Sequence, residues 1–292
     1  MGMSMDEGVI VKALSGFYYV QCGDGIVTCK ARGRFRHASV TPLVGDRVEV
    51  DYVAGTVISV LPRKNSFIRP AVANIDAMVF VACAAKPVTD PFLIDRVSVI
   101  AADAGCELIV VINKCDLDPG DSLYDIYSQS GFSVIRTSAE TGEGIDSLLD
   151  ALRGKISAFT GNSGAGKSSL VNRLVPGTDI ETADISDRLG RGKHTTRFVS
   201  FYSPDRGTFI ADTPGFASFE VDMIANITCE NLPGDFAEFG PYLCGCRFND
   251  CRHLSEPDCA VISAVHDGVI PKTRHESYRR LYDIVKNHRP WD

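Results

Sequence analysis

No stretch of the 292 residues reaches the ~18–20 consecutive apolar residues that a membrane-spanning helix requires, which excludes a helical membrane protein. The opening residues, Met1 to Glu7, are polar and acidic. They lack the basic patch and apolar stretch of a secretory signal, so a cytoplasmic protein is expected. Internal repeats and low-complexity tracts are also missing, which leaves ordinary folded domains. Net positive charge is lacking as well: the formal charge of −7 argues against a uniformly basic, nucleic-acid-coating protein. A disulfide framework is not indicated either. Seven of the ten cysteines (Cys22, Cys29, Cys83, Cys106, Cys115, Cys229 and Cys244) are scattered singly and read as small buried hydrophobes in a reducing compartment.

What is present divides the chain in three. Residues 1–70 hold nine Lys/Arg against six Asp/Glu and residues 272–292 six against three, which leaves the centre at −13 and keeps RNA contact through the flanks open. Residues 8–69 carry five short β-branched or aromatic runs punctuated by Gly16, Gly23, Gly25, Gly45 and Gly55. That rhythm predicts a small barrel, OB-fold first and SH3-like second. From residue 75 apolar strands (75–83, 107–113, 132–136, 156–160, 198–202, 208–211) alternate with helical periodicity at 93–104, 145–153 and 167–174. This pattern predicts a mostly parallel sheet covered on both faces. Residues 221–292 are short, cysteine-bearing and helical towards the end, where Tyr278, Leu281, Tyr282 and Val285 form a stripe. The expected organisation is multi-domain: a barrel over 1–69, an α/β domain over 70–220 and a mainly α, metal-binding domain over 221–292.

Residues 161–169 spell G-N-S-G-A-G-K-S-S between a predicted strand and a predicted helix, the context that the phosphate-loop pattern requires. Gly161, Asn162, Ser163, Gly164, Ala165 and Gly166 would turn backbone N–H groups around the phosphates at a helix N-terminus. Lys167 would reach the β/γ-phosphates and Ser168, followed by Ser169, would ligate Mg²⁺. Asn113, Lys114, Cys115 and Asp116 match N-K-x-D at the end of a buried strand. The Asp116 carboxylate would accept from both N1–H and the 2-amine of guanine, groups that adenine lacks. Asn113 would brace the loops and approach the opposite edge of the base, and the Lys114 stem would pack over the ring. Ser138 and Ala139 match the second guanine loop, whose backbone N–H groups contact O6. In the usual GTPase order these base readers follow the phosphate loop. Here they precede it, as in a circular permutation.

Residues 212–215, D-T-P-G, follow a strand and match D-x-x-G: Asp212 would hold Mg²⁺ and the Gly215 N–H would contact the γ-phosphate. Residues 190–197 form a basic first-switch candidate, in which Thr196, in preference to Thr195, would complete the Mg²⁺ shell. Phe216 stands where many GTPases carry the water-orienting glutamine. His194 is therefore the nearest candidate to position water or stabilise charge, against the alternative of a solvent-facing histidine or an RNA contact. Cys246, Cys251, His253 and Cys259 supply three thiolates and an imidazole within fourteen residues, a soft set suited to closed, structural Zn²⁺, with Cys244 as a competing ligand.

The N-terminal barrel, the motif order N-K-C-D, S-A-E, G-N-S-G-A-G-K-S-S, G-K-H-T-T, D-T-P-G-F, and the C-x4-C-x-H-x5-C cluster together resemble the ribosome small-subunit-dependent GTPase family (RsgA, YjeQ, YloQ). The resemblance spans essentially the whole chain. It implies an OB-fold, a permuted GTPase domain and a zinc domain. It also implies GTP/GDP, Mg²⁺ and one Zn²⁺ as ligands, 30S subunits and 16S rRNA as partners in late 30S maturation, and turnover stimulated by 30S, with no DNA or membrane role and a monomeric chain. In that family the histidine matching His194 is the proposed catalytic group, assisted here by Lys167 and Thr196. The residues themselves add only permissive evidence for RNA, including Lys30, Arg32, Arg34 and Arg36. A GTP-gated switch acting on another ribonucleoprotein or on a protein partner, or a metal-delivery protein, are the competing classes.

Overall fold

The structure, a computed structural model, describes residues 5–31, 41–68, 70–178, 199–212 and 227–287. Five strands, β1 (Met5–Leu14), β2 (Phe17–Cys22), β3 (Gly25–Ala31), β4 (Arg47–Asp51) and β5 (Thr56–Val60), close in the order β1-β2-β3-β5-β4, with β4 pairing back onto β1. This closed five-stranded barrel is the OB-like arrangement expected. Inward-facing Ile10, Val20, Cys29, Val48, Val50 and Val57 are fully buried, as the period-2 alternation of a barrel strand demands. The barrel is fastened at its exit by buried Asp46, whose carboxylate accepts Arg63 Nε at 2.7 Å and Nη2 at 2.8 Å. A hairpin absent from the sequence reading, β6 (Ser66–Ile68) with β7 (Ala71–Ala73), straddles the position taken as the barrel's end.

The central sheet uses β8 (Ala77–Cys83), β9 (Glu107–Asn113), β10 (Ser133–Thr137), β11 (Ile156–Gly161), β12 (Phe201–Tyr202) and β13 (Phe209–Asp212), in the order β10-β9-β8-β11-β13-β12. All pairs are parallel except β12–β13. Every residue of β8 is buried, because helices cover both faces. On one face α3 (Ile145–Leu152) and α4 (Lys167–Leu174) pack Leu148, Leu152, Leu170, Val171 and Leu174 on Val79, Val81, Ile109 and Val111. On the other, α1 (Pro91–Asp103) and α2 (Asp121–Gln129) pack Ile94, Val97, Leu123 and Tyr127 with Met78, Phe80, Val110 and Ile112. Helix α1 begins two residues before the 93–104 periodicity read from sequence, because the Asp90 side chain accepts the Phe92 N–H at 3.0 Å and Pro91 occupies the first turn.

The apolar cluster under α1 and α2 runs on into the C-terminal region, where Phe236, Phe239, Tyr278 and Leu281 are buried. That region holds a 3-10 segment (Ala237–Gly245), α5 (Ala260–His266) and α6 (Lys272–Asn287). Its link to the α/β domain is a buried ion cluster. Arg274 of α6 is 0% exposed and donates to Asp95 Oδ1 of α1 at 2.6 Å and to Glu238 Oε1 at 2.6 Å. Ser98 and Tyr127 complete the cluster, and the guanidinium stacks over Phe236. Among the described residues no helix is long and apolar enough to cross a membrane.

Candidate nucleotide site and metal centre

Parallel strands deliver their C-terminal loops to one edge of a sheet, where ligands of such folds bind. At that edge the structure brings together three motifs that are far apart in sequence. Asn113, at the end of β9, is 1% exposed. Its Nδ2 donates to the Ala165 carbonyl in the phosphate loop at 2.8 Å, and its Oδ1 accepts from Thr137 Oγ1 and from the Ala139 N–H, both at 3.2 Å. One amide thus ties 113–116, 138–139 and 161–166 to each other. The bracing expected of Asn113 is what its hydrogen bonds do.

The phosphate loop leaves β11 at Gly161, whose φ is 144° and where an added Cβ would lie 2.2 Å from the Val81 carbonyl oxygen. Gly166 caps α4 in the left-handed region (φ 89°), and a Cβ there would sit 2.3 Å from Asn113 Nδ2. Both positions therefore demand glycine. Helix α4 starts at Lys167 with no acidic residue in its first turn and no side-chain cap, which leaves its N-terminal amides available to an anion. Ser168 and Ser169 are half-buried just inside it.

In the 113–116 loop Lys114 adopts φ 63°, and its Nζ reaches the Lys86 carbonyl at 3.2 Å. The Cys115 N–H donates to the Thr137 carbonyl at 3.1 Å, which joins this loop to the next. Burial, with Glu143 beside it, raises the Cys115 thiol, so it packs as a neutral thiol. Asp116 is exposed. In the second loop Thr141 N–H donates to Ser138 Oγ at 3.1 Å. Arg173, not singled out from sequence, binds the carbonyls of Ala139 and Glu140 at 2.8 Å each. Asp212 ends β13 with its backbone in register beside Phe159 of β11, adjacent to the phosphate loop. His194, Thr195, Thr196, Gly215 and Phe216 lie outside the described residues, as do Arg32, Arg34 and Arg36.

The four predicted metal ligands converge. One donor atom each from Cys246, Cys251, His253 and Cys259 lies within 4.8 Å of the others, and Cys244 is exposed. His253 presents Nδ1, at 3.5 Å from Cys246 Sγ and 3.3 Å from Cys259 Sγ. Burial, with neighbouring thiols, pushes Cys251 up to about 12, a cost that a thiophilic dication removes by displacing the proton. The loop is held from outside. Tyr278 OH donates to the Arg252 carbonyl at 2.6 Å, and His275 Nε2 lies 2.7 Å from the His253 carbonyl. The Cys₃His donor set is compatible with zinc.

Comparison with known proteins agrees with this geometry. Residues 60–222 match the RsgA GTPase family and residues 7–56 match the RsgA N-terminal domain. The chain belongs to the RsgA GTPase family. It is accordingly a GTP hydrolase that uses a guanine nucleotide. The small ribosomal subunit biogenesis GTPase RsgA of Caldanaerobacter subterraneus subsp. tengcongensis is 43% identical over 290 residues, covering 97% of each chain. Its counterpart from Geobacillus kaustophilus is 42% identical, over 98% of this chain and 99% of that one. The crystal structure of YjeQ from Thermotoga maritima superposes with a TM-score of 0.82 at 35% identity, covering 98% of this chain and all of the other. YloQ, described as a circularly permuted GTPase, superposes with a TM-score of 0.80 at 32% identity over 98% and 96%. The permuted order inferred from the motifs is therefore the order of this fold.

Proposed function

We propose that this GTPase acts in late maturation of the 30S ribosomal subunit, in the cytoplasm and as a monomer. In this reading the barrel (1–69) and the metal domain (221–292) meet 16S rRNA and the 70–220 domain turns over GTP. The observation that carries the nucleotide part is the Asn113 amide, which joins both base-reading loops to the phosphate loop. Asp116 selects guanine by its N1–H and 2-amine, the loop at Ser138 and Ala139 reads O6, and residues 161–169 cradle the phosphates. Ser168, Thr196 and Asp212 would hold Mg²⁺, which would supply positive charge against the phosphate oxygens. Lys167 stabilises charge on the same oxygens, Gly215 contacts the γ-phosphate, and His194 orients water in place of the glutamine that Phe216 excludes. The ribosomal part is supported by the relatives themselves, which are small ribosomal subunit biogenesis GTPases.

The deciding experiment is GTP turnover by the purified protein alone, with 30S and with 50S subunits. Turnover stimulated by 30S only is the expected result. Equal turnover in all three would keep the hydrolase and remove the ribosomal partner.

The metal reading makes its own prediction. Elemental analysis of the purified chain should give one zinc per molecule. Cys251→Ser should lose it, with lowered stability of the C-terminal region, because its small core depends on the cross-link. Cys244→Ser should keep it. Zinc retained in Cys246→Ser and lost in Cys244→Ser would put Cys244 in the place of Cys246.

A further inference from the structure

The loop proposed to read guanine O6 is held from two sides. Asn113 Oδ1 accepts the Ala139 N–H from the sheet side. From the helix side, Arg173 in the last turn of α4 donates Nε to the Ala139 carbonyl and Nη2 to the Glu140 carbonyl, each at 2.8 Å. In a trans peptide the C=O and the following N–H point in opposite directions within one rigid plane. Fixing the Ala139 carbonyl on a planar fork therefore fixes where the Glu140 N–H points, while the Thr141 N–H is given to Ser138 Oγ within the loop. Lysine lacks that fork and cannot hold both carbonyls in one geometry. Arg173 lies at the far end of α4 from the phosphate loop, so its grip bears on the base and not on the phosphates.

We propose that Arg173 is a positioning residue for base recognition, setting how strongly the site reads the O6 oxygen of guanine. The proposal rests on the guanine reading of the 137–141 loop, in which the Glu140 N–H is the donor Arg173 orients. It makes the second guanine loop a part of α4: the helix that begins at the phosphates ends by aligning the donors for the base.

The test is a set of Kd values for wild type, Arg173→Ala and Arg173→Lys with four diphosphates. GDP and IDP both carry O6, whereas 2-aminopurine riboside diphosphate and ADP do not. Arg173→Ala should weaken GDP and IDP by about five-fold, the loss of a net hydrogen bond or so. The two nucleotides without O6 should change by less than about two-fold, the range of charge and screening effects at an exposed site. Arg173→Lys should fall between wild type and Arg173→Ala, and kcat at saturating GTP should hold in both. Equal weakening of all four nucleotides, or unchanged GDP binding, would overturn the proposal. A wild-type protein that binds GDP no better than ADP would instead overturn the guanine reading beneath it.

Discussion

Arg274→Met should lower folding stability by about 3–5 kcal/mol, as expected when one partner of a buried ion pair is removed. The guanidinium is fully buried against Asp95, also 0% exposed, and Glu238 at 6%. Burial alone disfavours its charge, but the two carboxylates outweigh that and raise its pKa. Burial likewise pushes Asp95 up, and the Arg274 charge is the principal force opposing it. Methionine preserves much of the volume but leaves Asp95 without that opposition. Its folded-state pKa would then stand further above the unfolded value, so folding would take up a proton. Stability of the variant should accordingly recover as pH is lowered from 7 towards 5. Chemical unfolding across that range reads both effects. A loss below about 1 kcal/mol, the ordinary worth of a surface pair, would show that the cluster does not hold the C-terminal domain to α1. Arg274→Lys should also be destabilising, since an ammonium cannot span both carboxylates.

The second large effect concerns Asn113→Ala. Its amide is the junction of three loops, and its loss leaves the Ala165 carbonyl and the Ala139 N–H without their partner. The buried Ala165 carbonyl left unpaired, at about 1–3 kcal/mol, predicts a fall of roughly 5- to 150-fold in GDP affinity. Because the phosphate loop loosens with the base loops, ADP binding should weaken too. Asp116→Ala provides the contrast: its side chain is exposed, so base selection should fall while stability holds. Gly166→Ala approaches the same junction from the other side, since its new Cβ would meet Asn113 Nδ2 at 2.3 Å. Fluorescent-nucleotide titration measures all three. Unchanged GDP binding in Asn113→Ala would remove that residue from the site.

Some elements were legible from sequence and others were not, for identifiable reasons. Helix α4 was read at 167–174 and is found at Lys167–Leu174, because a phosphate loop fixes where the following helix starts. Strands β8 and β9 were legible because strands buried on both faces are continuous apolar runs. Helix α2 went unread: only Leu123 and Tyr127 are buried in it, so its apolar face is narrow. Helix α5 has seven residues, too few for a helical period to stand out. The β6–β7 hairpin has three residues per strand, too short for an alternation to register.

The site divides along the same line. Sequence alone carried the motifs: the phosphate-loop pattern, the N-K-x-D run in which Asp116 is proposed to read guanine, the Cys₃His set and the permuted order are patterns in which position along the chain carries the meaning. Only the tertiary structure decided how these parts are held. Asn113 finds Ala165 across 52 positions, and Arg274 finds Asp95 across 179. A lone Arg in a helix reads as a solvated charge until packing shows what lies against it. Arg173 and Arg274 are alike in sequence as helical arginines. One is exposed and grips two backbone carbonyls, and the other is sealed between two domains. Burial and partner choice depend on chain segments brought together by folding, and no local pattern encodes them.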